Sequence, residues 1–163
     1  MAIWLKKILL IICAALVVWV PQAASAMSPL EQVRVTVDQV IVILRQSELQ
    51  GEARRKVLSE LVRSGFDFVI MTQRTLGRHW KKATAQEQAE FVSLFSDLLE
   101  ASYIGRLDDY SDETVSYHSE KIDGKRAVVA TVVRSNNTDI PIDYRMVNKG
   151  SDWFVYDVLV EDI

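Results

Sequence analysis

The apolar residues of this chain change their spacing once. Up to about Tyr110 they recur every three or four positions; from Thr114 onward they alternate. The first period suits a helix with one buried stripe and the second a strand with one buried face, and neither pattern fits the other conformation. Because every helix precedes every strand, no βαβ unit is available, and a parallel pair would need such a crossover. The expected class is therefore α+β, with N-terminal helices packed on one face of a curved four-stranded antiparallel sheet meander. No repeat, low-complexity linker or shift of composition divides the chain, so a single domain over residues 27–163 is expected.

Local signals place the helices. Ser28-Pro29-Leu30-Glu31 is a capping box with proline at the first helical position. Leu30, Val33, Val37, Val40, Ile41 and Leu44 follow at helical spacing, until Gly51 breaks the run. Val57, Leu58, Leu61 and Val62 share one side of a second helix over residues 52–64, with Gly65 as its stop. Asp67 can cap a third over residues 68–76, which ends at Gly77. Thr84-Ala85-Gln86-Glu87 is another capping box, and it opens the longest helix. That helix carries Phe91, Leu94, Phe95, Leu98, Ile104 and Leu107 to about Tyr110. Residues 77–83 are then a connection between two helices, with Trp80 placed to plug their corner.

Four alternating runs follow, over residues 114–121, 126–134, 140–147 and 153–163. Asp123-Gly124 is a strong hairpin signal, and Asn136-Asn137 and Lys149-Gly150-Ser151 suit a second and third turn. Between Ala127 and Val133 both parities are apolar, which predicts a central strand covered on both faces.

Residues 1–26 are expected to be a secretory signal peptide outside the fold. Lys6 and Lys7 precede an apolar run of 13 residues, Ile8 to Val20, and Ala24-Ser25-Ala26 is a small-residue cleavage pattern. An uncleaved membrane anchor is the rival, but a spanning helix needs about 20 apolar residues. The one cysteine, Cys13, lies inside this segment, so no disulfide framework supports the exported domain. Beyond it stand 17 basic and 22 acidic residues, a net charge of −5. That balance argues against nucleic acid, which calls for a basic face. Export without disulfides fits a bacterial periplasm.

Few residues invite chemistry. His79 lies in a turn without a motif partner, and His118 lies on a strand expected to face solvent or the sheet rim. There is no nucleophile elbow, zinc-protease helix, C-x-x-C pair or glycine-rich phosphate loop in the chain. No catalytic residue, cofactor or metal is expected. Asp108, Asp109, Asp112 and Glu113 form an acidic run, but they lack the spacing and glycine of a calcium loop. Arg78, Lys81 and Lys82 surround Trp80 in a basic patch, a contact point for anionic head groups or a partner protein if it is not simply solvated. The apolar faces of the long helix and of the sheet could meet as a core or stand apart around a greasy cavity, and patterning alone does not separate the two.

The stretch from Phe66 to Tyr110 resembles the periplasmic phospholipid-binding proteins of the MlaC type, the toluene-tolerance family. The shared signs are Leu76-Gly77-Arg78, the aromatic Trp80, the Thr84-Ala85-x-Glu87 helix start, and Phe91, Phe95, Leu98 and Tyr103 on the next helix. Trp153-x-Val155-Tyr156-Asp157-Val158 and then Glu161 are similar too. The resemblance implies a soluble carrier without catalytic residues. It would pass phospholipid between an inner-membrane ABC lipid transporter complex and an outer-membrane lipoprotein complex, with the acyl tails in a cavity between sheet and helices. It also implies a further helical segment after the position of Ile163, so this chain is expected to lack part of the cavity wall.

Two acyl tails hold about 30 methylenes, or on the order of 25 kcal/mol of buried apolar surface at about 0.8 kcal/mol each. A carrier cavity should thus be apolar and near the upper part of the roughly 300–1,000 Å³ range of ligand sites. The residues expected to line it are Phe91, Phe95 and Leu98 on the long helix, with Val129, Val133, Ile142, Tyr144, Met146 and Val155 on the sheet. Two other classes stay open: a structural or interaction protein of the envelope, and an envelope lipid-modifying enzyme with His79 or His118 as base.

Overall fold

A computed structural model describes residues 26–107 and 113–160, leaving aside the side chains of 103–107. Residues 1–25 of the expected signal peptide, the acidic run Asp108, Asp109 and Asp112, and Glu161 to Ile163 lie outside the described residues, as do the side chains of Tyr103, Ile104 and Leu107.

Among the described residues four α-helices precede four strands: α1 (Pro29–Arg45), α2 (Gly51–Gly65), α3 (Phe68–Leu76) and α4 (Ala85–Leu107), then β1 (Thr114–Asp123), β2 (Arg126–Ser135), β3 (Thr138–Lys149) and β4 (Asp152–Val160). The strands form one antiparallel sheet in the order β1-β2-β3-β4, the expected meander. The connection between α3 and α4 is more regular than expected, because Gly77–Lys82 winds into a 3₁₀ turn. Gly77 leaves α3 at φ 51°, a value a side chain would resist.

Polar side chains start the helices where the sequence indicates. Ser28 Oγ accepts from the Glu31 N–H at 3.2 Å, and Asp67 Oδ1 accepts from the Ile70 N–H at 3.0 Å. At Thr84 the box is reciprocal: the Glu87 N–H donates to Thr84 Oγ1 at 3.3 Å, and the Thr84 N–H donates to Glu87 Oε2 at 2.8 Å. The Thr84 N–H, and after it the Thr84 hydroxyl, donate to the Glu87 carboxylate and hold it below its ordinary range.

The first hairpin closes over Gly124-Lys125, one residue later than its sequence signal, and the second over Asn136-Asn137, both at positive φ (49° and 63°). Positive φ at both central residues is what a two-residue turn needs to match strand twist. Register shifts at Tyr117/Ser119 and at Arg145/Met146 bend the two outer strands. His118 occupies the first of them and is exposed. The resulting concave face carries Ala127, Val129, Thr131 and Val133 of β2, while Val128, Ala130 and Val132 on the other face are half-buried. The second face is thus less thoroughly covered than a doubly buried strand would be.

α1 crosses the concave face. Its first turns rest on the sheet: Val33 joins Ala127, Val129, Met146, Trp153 and Val155 in the buried core, with Leu30 and Val37 packed against it. Its far end packs elsewhere. Leu44 is buried on Leu58 of α2, with Val40 and Ile43 alongside. A helix that rests on the sheet at one end and on another helix at the other leaves a wedge of space beneath it.

Candidate functional site

That wedge is an apolar cavity of about 610 Å³. One wall is α1, through Gln32, Val33, Thr36, Val37, Val40, Ile41 and Leu44. This is a stripe two residues wide on every turn. Val33 and Val37 reach the sheet core, whereas Val40 and Leu44, further along, pack toward α2. The other wall is the concave face, with Val115, Val133, Ile142, Tyr144, Met146, Trp153 and Val155. Val62, Gly65 and Phe66 at the end of α2 contribute as well.

Polar contacts fix α1 over the sheet along both sides. On the β4 side, Gln32 Nε2 donates to the Trp153 carbonyl at 2.8 Å and the Trp153 N–H donates to Gln32 Oε1 at 3.1 Å. On the β1 side, the Tyr117 hydroxyl donates to Asp38 Oδ1 at 2.8 Å, and the Arg34 guanidinium lies 4.8 Å from the Tyr117 ring centre. The Leu30 N–H donates to Glu120 Oε2 at 2.7 Å. Glu120 therefore meets the start of α1 and Tyr117 its middle, which sends α1 antiparallel to β1. Burial, reinforced by the Asp38 carboxylate, raises the Tyr117 pKa far above its ordinary 10.0. Tyr144 is raised for the same first reason, burial, against a smaller opposing effect of its hydrogen bond with Thr131.

Polar side chains line the cavity on both sides of its apolar middle: Gln32 and Thr36 toward the start of α1, and a second group opposite. Glu113, Ser135 and Asn136 line it where β1 begins and where the β2–β3 hairpin turns, and the Ser135 hydroxyl donates to Glu113 Oε1 at 3.0 Å.

The structure divides the expected lining residues. Val133, Ile142, Tyr144, Met146 and Val155 are on the cavity wall. Phe91, Phe95, Leu98 and Val129 are not. Val129 faces the same way as Val133 but is wholly buried in the packed floor, under the end of α1 that touches the sheet. Phe91 and Phe95 stack on each other along α4, with ring centres 6.2 Å apart. Leu98 is 62% exposed. α4 is held instead to α2, where Arg63 donates to Asp97 at 2.6 Å and to Glu100 at 2.8 Å. The helix across the hollow is thus α1 and not the long helix. The expectation that the cavity lies near the upper end of the usual size range is also corrected: 610 Å³ is mid-range. Missed as cavity wall were the α1 stripe, Trp153 and the polar side chains of the lining. The stripe was visible as doubled apolar positions at 40/41, and only its partner was unknown.

Arg78, Lys81 and Lys82 are exposed on the 3₁₀ turn and do not line the cavity, while Trp80 is half-buried there. His79 is exposed and its Nε2 accepts from Arg78 Nε at 3.4 Å. Among the described residues, no group of three or more histidine, cysteine, aspartate or glutamate side chains is placed to hold a metal ion. No helix among them is long and apolar enough to cross a membrane.

A helix clasped over a curved antiparallel sheet, above a largely apolar hollow, defines an α+β domain with a cavity between its two layers. Within that class the sequence is specific: the family model for the MlaC protein matches residues 34–163, and the chain belongs to the MlaC family. The family is one of lipid-binding carriers and not of enzymes. The chain is similar to the intermembrane phospholipid transport system binding protein MlaC of Haemophilus influenzae, at 28% identity over 53% of this chain and 43% of that protein. It is also similar to the toluene tolerance protein ttg2D of Pseudomonas putida, at 30% identity over 69% of this chain and 52% of that one. The chain thus spans about half the length of the curated relatives it matches. A phospholipid-binding protein of Ralstonia solanacearum, solved in complex with a phospholipid, shares the fold with a TM-score of 0.71 and 28% identity, over 80% of this chain and 76% of that one.

Proposed function

We propose that this protein is a phospholipid carrier of the periplasm, which holds acyl tails in the cavity between α1 and the sheet. The observation that carries this reading is the cavity itself: an apolar hollow, bounded by a helix and the concave face of a sheet, in a fold whose Ralstonia relative holds a phospholipid. The tail contacts on the sheet side are Val133, Ile142, Tyr144, Met146 and Val155, and α1 provides the facing stripe.

The physical need is plain. Each methylene exposed to water costs about 0.8 kcal/mol, so a free lipid crosses an aqueous space only inside an apolar container. A methylene occupies about the space of a water molecule, roughly 30 Å³, so 610 Å³ takes in about twenty of them. That covers most of the length of two tails, with the remainder near the mouth.

The carrier would receive and deliver lipid at membrane complexes: an inner-membrane ABC lipid transporter on one side and an outer-membrane lipoprotein complex on the other. The leader-like pattern of residues 1–26 supports export, and sequencing the mature N-terminus, expected at Met27, tests it. The exposed basic residues Arg78, Lys81 and Lys82 are candidates for contact with these partners.

Extraction of the purified protein followed by mass spectrometry tests the carrier reading. Co-purifying phospholipid near one molecule per chain is expected. Protein that remains lipid-free after exposure to phospholipid vesicles overturns it.

A further inference from the structure

One residue of the cavity wall has no side chain. Gly65, the last residue of α2, lines the hollow beside Val62 and Phe66. Its backbone does not call for glycine. Gly51, Gly77, Gly124 and Gly150 all stand at positive φ, where a side chain is resisted, and Gly65 does not. Nor does the end of α2 require it, because the chain leaves the helix at Phe66 in extended conformation, φ −112° and ψ 143°. Packing does not exclude a side chain either. Among the described atoms outside its own helix and its chain neighbours, a methyl on Gly65 would come close only to Thr36 Cγ2, at 3.9 Å, an ordinary contact. What the glycine leaves is room.

That room belongs to the cavity where the wedge is narrow. Thr36 is one turn beyond Val33, at which α1 rests on the sheet. Phe66, next along the chain, packs against the same core and bridges to Val155 of β4. Gly65 thus stands in the angle between α1, the end of α2 and the edge of the sheet, and Thr36 and Val155 line the hollow with it.

The volume at stake is countable. The hollow takes in about twenty methylenes at roughly 30 Å³ each. The side-chain carbons of a leucine at position 65 would displace about four of them, and alanine about one. A displaced methylene stays in water, and each one there lowers affinity about fourfold, the equivalent of about 0.8 kcal/mol.

Resting on the carrier reading above, we propose that Gly65 is a specificity-determining residue for acyl length: its bare backbone lets the cavity accept longer tails, and a larger residue there shifts the protein toward shorter-tailed phospholipids.

A competition experiment tests it. The delipidated protein is incubated with vesicles holding equal amounts of dimyristoyl, dipalmitoyl and distearoyl phosphatidylglycerol, re-isolated, and its lipid quantified by mass spectrometry. Gly65→Leu should raise the ratio of dimyristoyl to distearoyl lipid about fourfold or more over the unaltered protein, at similar total lipid per chain. Gly65→Ala should move the ratio the same way by less. Ser64→Leu adds the same side chain one residue earlier, at an exposed position outside the lining, and should leave the ratio unchanged. A folded Gly65→Leu protein with the ratio of the unaltered one overturns the role of Gly65 and leaves the carrier reading standing. So does an equal shift from Ser64→Leu, or a folded Gly65→Leu protein that takes up no lipid of any length. If Gly65→Leu does not fold, Gly65→Ala decides by the same ratio, since its methyl fits beside Thr36, and no shift there overturns the proposal. Failure of the unaltered protein to take up any of the three lipids overturns the carrier reading itself.

Discussion

The side-chain amide of Gln32 pairs with both backbone groups of Trp153, accepting from its N–H and donating to its carbonyl. Trp153 lies on β4, which among the described residues is an edge strand, paired on its outer side only by an isolated bridge from Phe66 to Val155. Gln32 takes the place of a further strand at one residue, and the Asp67 N–H does so at the Val155 carbonyl, at 2.8 Å. The same amide also forms part of the cavity wall, so one residue closes the sheet edge and positions α1.

Replacing Gln32 with leucine keeps the bulk and removes both bonds. Two part-buried backbone groups then lose their partners, at a cost of about 2 kcal/mol. Urea denaturation should show this as a lower midpoint at unchanged slope, and amide exchange at Trp153 should accelerate. Protection at Trp153 equal to the unaltered protein would mean that the amide pair contributes nothing.

Lys149 is the counter-charge of a buried carboxylate. Asp67 has only 2% of its side chain exposed; Oδ1 caps α3, and Oδ2 meets the Lys149 ammonium. Lys149→Met strips the ion pair from one side and should destabilise by about 3 kcal/mol, as uncompensated buried charges do. Lys149→Met combined with Asp67→Asn should recover much of that loss, because asparagine keeps a capping oxygen without the charge.

Cavity-filling and surface substitutions should separate the two helices that the sequence leaves as rivals. Ile142→Trp projects into the hollow and should cut bound lipid at least severalfold in the extraction assay. Leu98→Gln, on the exposed face of α4, should leave lipid content unchanged and alter stability by no more than about 0.5 kcal/mol. The opposite pattern would place the tails against α4.

The two raised tyrosines set an alkaline limit. Tyr117 and Tyr144 stay protonated in the fold above the ordinary value of 10.0, whereas in the unfolded chain they lose their protons there. The folded state then holds more protons than the unfolded one, so stability falls as pH rises past about 10. Below that pH neither tyrosine contributes a slope. Thermal melts should therefore be flat in this respect up to pH 9.5 and decline beyond it, and Tyr144→Phe should flatten the decline.

Much of the fold was legible because its signals are local. Ser28, Asp67 and Thr84 cap helices by bonds within three residues, and Asn136-Asn137 needs only its own positive φ to turn the chain. The two-residue period of a strand put Val129 and Val133 on one face of β2, although both of its faces are apolar in sequence. It did not tell that the first lies in packed floor and the second on open wall, because that depends on where α1 departs from the sheet. Phe91, Phe95 and Leu98 misled for a related reason. A helical stripe shows that a face is apolar, and it is silent on what that face meets.

The sequence by itself determined the class: helices then strands, their caps and turns, and an apolar surface on both layers. Hydrophobic period and turn chemistry act over a few residues and carry that information. The tertiary structure alone decided which helix covers the sheet and how wide the gap is. Those follow from contacts between residues far apart in the chain, Gln32 with Trp153 and Asp38 with Tyr117, and from α1 being held by the sheet at one end and by Leu58 at the other.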